Sequence, residues 1–129
     1  YIEPLNHYQT HFINTLADAA RVRRKIKDHP HIKLLADLFH MAMEESSIPQ
    51  ALTDHAADIA YLHVADSNRR LPGRGLLDFA AIGAALTAMQ FTGWAAFECG
   101  EVSQNEPYAR QYAEALPACL DELRQRGWS

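Results

Sequence analysis

The stretch Tyr61-Leu-His-Val-Ala-Asp-Ser-Asn-Arg-Arg-Leu-Pro-Gly-Arg-Gly75 sets the reading of this chain. Together with Ile59 and Ala60 it opens as a short apolar run, Ile59 to Val64, which fits a buried strand. The polar loop that follows carries Pro72, Gly73 and Gly75. His63 is thereby placed where a strand gives way to a loop, and in folds built from parallel strands the loops after the strands gather the chemistry at one face. Three further segments repeat this design. Ile2-Glu3, Ile32-Lys-Leu-Leu-Ala-Asp37 and Trp94-Ala-Ala-Phe-Glu98 each set a carboxylate at or near the end of an apolar run. Glu3, Asp37, His63 and Glu98 are 34, 26 and 35 residues apart, about one strand, loop, helix and loop each time. The spacing predicts that the four meet at one end of a sheet.

Between these anchors the patterning is helical. Phe12, Leu16, Ala19, Val22 and Ile26 recur at the spacing of an amphipathic helix that covers a sheet, and Asp28-His-Pro30 stops it. The basic run from Arg21 to Lys27 reads as the solvated face of that helix. Ile32 to Ala36 shows too little alternation for a strand with one wet face, so it is expected to be buried on both sides. Met41 to Glu45 reads as a loop or short helical turn. Ser46, Ser47 and Pro49 open a helix from about Ile48 to Asp58, and Asp78 caps another from Phe79 to Met89. Thr92-Gly93 turns into a strand at Trp94 to Phe97. Asn105-Glu-Pro107 opens a last helix that Pro117 is expected to kink or split.

Four strands alternating with four helices argue for parallel βαβ units in one α/β domain over residues 1–129. Four βα units correspond to half of a (β/α)8 TIM barrel, since a complete one takes about 250 residues. The chain begins at Tyr1, two residues before a candidate functional carboxylate, and so reads as the back part of something longer. An open four-stranded sheet is the structural alternative, with exposed edges.

Composition narrows the partners. A hydrophobic content of 48% supports a core, and a formal charge of -4 leaves no electrostatic footprint for nucleic acid. No membrane span or signal peptide is legible. Cys99 and Cys119 fit neither a disulfide framework nor a CxxC metal site, so a reducing cytoplasm is the expected compartment.

Three carboxylates and one imidazole form a hard, mostly oxygen donor set that suits Mn²⁺, Mg²⁺ or Co²⁺ better than a structural zinc. Each residue also has a plain structural role open to it. Glu3 can cap a turn, Asp37 a helix N-terminus, His63 can be a satisfied core histidine, and Glu98 can pair with an arginine. Their shared placement in four successive units favours a site.

Glu-Pro-Leu-Asn at 3 to 6, Leu-Ala-Asp-Leu-Phe-His-Met at 35 to 41, the His63-to-Gly75 segment and Phe-Glu-Cys-Gly at 97 to 100 together resemble the xylose isomerase-like TIM barrel proteins. Within that family the resemblance is to sugar (phosphate) isomerases and epimerases of the D-tagatose 3-epimerase and hydroxypyruvate isomerase type, over their C-terminal half. The resemblance implies that Glu3, Asp37, His63 and Glu98 hold one divalent metal and that Glu3 and Glu98 are the catalytic proton-transfer pair. It implies that His40 and Arg69 hydrogen-bond substrate oxygens, that the substrate is a ketose or related sugar, and that the proton moves through an enediolate. Return of the proton to the same carbon is epimerisation, and return to its neighbour is isomerisation. Gln9 and His7 depart from the pattern, standing where these epimerases carry glutamate and often arginine, which leaves the sugar open.

Three alternatives follow from the same residues. An inosose dehydratase-type lyase needs the same proton abstraction. Endonuclease-four-type cleavage of abasic DNA shares the barrel but calls for more histidine ligands and a basic face. A non-catalytic half-barrel assembly module would pair with a second copy as a homo-oligomer.

Overall fold

A computed structural model of the chain describes residues 1–100 and 108–128. Its centre is a three-stranded parallel sheet in the order β1 (Leu34–Asp37), β2 (Ile59–Val64) and β3 (Trp94–Phe97). The expected first strand at Ile2-Glu3 is a single parallel bridge, Ile2 opposite Leu34, beside the free edge of β1. The Ile2 amide donates to Lys33 O at 2.9 Å and Leu35 N donates to Ile2 O at 3.0 Å, so two hydrogen bonds hold Glu3 at the sheet. Parallel strands linked through helices make this the α/β half-barrel that the spacing implied.

The helices are α1 (Leu16–Lys25), α2 (Leu38–Glu44), α3 (Ile48–Asp54), α4 (Phe79–Ala88) and α5 (Tyr108–Gln125). α1 begins later than the apolar spacing suggested. Thr15 and Asp18 form a capping box, each side chain accepting the other's main-chain N–H, and this fixes the first turn at Leu16. Phe12 therefore lies outside the helix at 78% exposure, and Ile26, just past its end, is also exposed. Arg23 corrects the reading of the basic run. It is buried, with Nη1 2.5 Å from Asp58 and 3.0 Å from Asp28, and Nε donating to Ile32 O.

Of the loop or short helical turn expected at Met41 to Glu45, the helical reading holds, and α2 starts earlier, at Leu38, because Asp37 ends β1 and caps the helix at once, its Oδ1 accepting from Phe39 N at 2.9 Å. α3 stops at Asp54, four residues short of the expected end. β2, β3 and the Asp78-capped α4 lie where the sequence placed them, α4 ending one residue early at Ala88. α5 runs unbroken through Pro117, so that proline does not split the helix. Its expected opening at Asn105 to Pro107 lies outside the described residues.

Strand alternation divides the sheet into two faces. Leu34, Ala36, Leu62 and Val64 are buried in the main core with Leu16 and Phe79. Leu35, Asp37, Tyr61 and His63 point to the other face. No described helix is long and apolar enough to cross a membrane.

Candidate metal centre and active site

Asp37 and His63 are direct partners in the β1–β2 register, and His63 is opposite Ala96 on β3. Two residues beyond Ala96, on the same side, comes Glu98, whose N–H donates to Val64 O at 3.3 Å. Glu3 follows the Ile2 bridge at the opposite edge. The ends of the three strands and the Ile2 bridge thus bring one ligand atom each from Glu3, Asp37, His63 and Glu98 to within 4.8 Å of one another. Nδ1 of His63 is the hub, 3.3 Å from Glu3 Oε1, 3.3 Å from Asp37 Oδ2 and 2.6 Å from Glu98 Oε2.

Asp37 is fully buried, while Glu98 is about half exposed. Burial raises the Glu3 carboxyl above its ordinary value, and the neighbouring charges of Asp37 and Glu98 push the same way against the pull of His63. Like charges this close need a cation. Arg69 supplies one: its Nη1 donates to both Asp37 oxygens, at 2.9 and 2.8 Å, and its Nη2 pairs with Glu98. One guanidinium faces three carboxyl groups in the cluster. The donor set therefore fits a divalent cation in both charge and hardness. Two of the plain structural roles coexist with this placement, since Asp37 caps α2 and Glu98 pairs with an arginine.

His40 comes from the first turn of α2. It is buried, with Nε2 4.0 Å from Asp37 Oδ2, and that burial holds its imidazole below the usual histidine range. Arg69 leaves the loop after β2 with its guanidinium 4.8 Å from the Phe39 ring. His40 and Arg69 thus both border the four-residue cluster. His7 and Gln9 are exposed, and His7 is turned to Glu44, with Nδ1 2.6 Å from its carboxylate.

Asp66 is a residue that the sequence reading quoted without a role. Fully buried, it accepts from Ser67 N, Gly75 N and Leu77 N, which folds the Pro-Gly-x-Gly loop back on the strand end. A Cβ at Gly75 would collide with that carboxylate, which explains the glycine. The buried Asp at the strand exit followed by Gly-x-Gly was the signal available for it. Cys99 and Cys119 are buried, with Sγ facing Val64 O and Pro72 O respectively, and burial pushes the Cys99 thiol up to about 11.

A family model described as Xylose isomerase-like TIM barrel matches residues 1–120. The chain belongs to the xylose isomerase-like TIM barrel family. Among its relatives in this family, 3-dehydro-D-guloside 4-epimerase of Escherichia coli (strain K12) is 40% identical over 116 residues, covering 90% of this chain and 43% of that protein. D-psicose 3-epimerase of Ruminiclostridium cellulolyticum is 34% identical over 92 residues, covering 71% of this chain and 31% of that protein. The crystal structure of E. coli 3-keto-D-glucoside 4-epimerase superposes with a TM-score of 0.83 at 37% identity, over 94% of this chain and 45% of that one. A D-psicose 3-epimerase solved in the presence of D-fructose gives a TM-score of 0.87 at 26% identity, over 99% and 49%. The xylose isomerase-like chain thus spans less than half the length of the relatives and structures it matches.

Proposed function

We propose that the protein is a divalent-metal-dependent sugar epimerase or isomerase whose substrate is a ketose or a related keto sugar. The observation that carries this reading is the convergence of Glu3, Asp37, His63 and Glu98 within 4.8 Å at the strand ends, in a chain of this family. The relatives named as sugar epimerases support the substrate class.

In this reading Glu3, Asp37, His63 and Glu98 hold one Mn²⁺, Mg²⁺ or Co²⁺. Such a cation polarises a carbonyl and so acidifies the neighbouring C–H, which a carboxylate alone is too weak a base to ionise. Glu3 or Glu98 takes the proton from the carbon next to the carbonyl, and the other glutamate, protonated from solvent, delivers one to the opposite face of that carbon in epimerisation or to the neighbouring carbon in isomerisation. The two come from opposite edges of the sheet, which suits approach from different sides. Asp37 and His63 hold the cation and take no proton. His40 and Arg69 hold substrate oxygens, Arg69 by turning part of its guanidinium from the carboxylates to the sugar. Two cysteines that fit neither a disulfide framework nor a CxxC metal site suit a reducing cytoplasm.

Glu3→Gln and Glu98→Gln keep side-chain size and one oxygen ligand. In the full-length protein each is expected to retain part of the metal, by elemental analysis, while turnover of ketoses falls by roughly 10²-fold or more. Unchanged turnover in either variant would remove that glutamate from the proposed pair.

A further inference from the structure

Asn6 closes the Glu3-to-Asn6 segment and has no role in the function proposed above. It is buried, and both of its donors converge on one atom. Its main-chain N–H lies 3.3 Å and its Nδ2 2.8 Å from Nδ1 of His40. The amide orientation is fixed independently, because Oδ1 accepts from Tyr8 N at 3.1 Å and this turns Nδ2 toward the imidazole. A ring nitrogen between two N–H donors must accept from them, since a proton on Nδ1 would set N–H against N–H. In the neutral ring the proton then belongs on Nε2. Nε2 is the atom that faces the cluster, 4.0 Å from Asp37 Oδ2.

We infer that Asn6 is a positioning residue that fixes His40 in the Nε2–H tautomer, so that the buried imidazole presents a donor, and no acceptor, to the substrate beside the four-residue cluster. This rests on the proposed function, and it adds a constraint on the substrate. The oxygen that meets His40 must accept a hydrogen bond, as a ketose carbonyl or the anionic oxygen formed when the neighbouring proton leaves can do. A group able only to donate is turned away.

The test is the ring ¹⁵N spectrum of the full-length, Mg²⁺-loaded protein labelled in histidine, with the His40 signals identified by their loss in His40→Gln. The expected spectrum has the His40 proton on Nε2 and a bare Nδ1. Asn6→Asp keeps the shape and replaces the Nδ2 donor by an acceptor. It is expected to draw the proton to Nδ1 and to lower kcat/KM about tenfold or more at unchanged metal content. Asn6→Ala keeps the main-chain donor and is expected to give mixed tautomers with a smaller loss, which serves should the Asp variant not fold. A wild-type proton on Nδ1, or a tautomer and kinetics indifferent to both Asn6 substitutions, would overturn the inference alone. Full turnover by His40→Gln would overturn the reading of His40 as a substrate contact, and this inference with it.

Discussion

Arg69 holds its backbone in the left-handed region, at φ 61°, a conformation that costs a non-glycine residue on the order of 1 kcal/mol. The position is held by what the guanidinium touches: both oxygens of Asp37, the Glu98 carboxylate and the face of Phe39. Asp37 is fully buried, so among the described residues, without Arg69 or a metal, its charge is met by the imidazoles of His63 and His40 and the N–H groups of α2. Removing one partner of such a pair costs more than making the pair gains. Arg69→Met is therefore expected to destabilise the metal-free full-length protein by about 3 kcal/mol in thermal or urea unfolding. Most of that loss should return on saturation with Mn²⁺, since the cation meets the same carboxylates. A loss that is equal with and without metal would mean that Arg69 stabilises through its packing on Phe39 and not through the cluster.

At the scale of elements, the site depends on how closely β3 approaches β2. Gly93 sits at the turn into β3, where a Cβ would run into the carbonyl oxygen of Ala60 on β2. That obstacle is backbone and cannot swing aside. Gly93→Ala is expected to push β3 outward and carry Glu98 with it, costing about 2 kcal/mol of stability and weakening Mn²⁺ binding in calorimetry. Metal affinity equal to wild type would show that Glu98 is placed independently of this turn. The same elements show what was legible in the sequence. β2, β3 and α4 could be read because their limits are local: an apolar run, the Thr92-Gly93 turn, and an Asp78 cap whose carboxylate accepts from Ala80 N and Ala81 N. The four cluster residues could be read because each lies at or near the end of an apolar run. What failed depended on partners distant in sequence or on doubled roles. Arg23 looks solvated until Asp58, 35 residues on, is seen beside it. The start of α2 was hidden because Asp37 is both the last residue of a strand and the cap of a helix. Asn6 gains its meaning from His40, 34 residues away.

For the molecule as a whole, the inner face of the sheet is only partly clothed. Tyr61 lies opposite Trp94 in the β2–β3 register and meets the Tyr1 ring at a tilt, and Tyr1 and Trp94 are 66% and 76% exposed. A parallel sheet is ordinarily covered on both faces, and the relatives are more than twice the length of this chain. The 129-residue chain assayed alone is thus expected to bind an apolar dye such as ANS and to show little or no turnover; robust ketose turnover by its monomer would contradict this. In the proposed reaction one glutamate at the cation site removes the substrate's proton and the other returns one that has exchanged with solvent. This is tested most directly by running the full-length protein on a ketose such as tagatose or fructose in D₂O and locating the deuterium by NMR. Deuterium is expected on the carbon next to the carbonyl, in step with product formation and lost in Glu3→Gln and Glu98→Gln. Product formed with no deuterium from solvent would contradict it and point to an internal hydride shift.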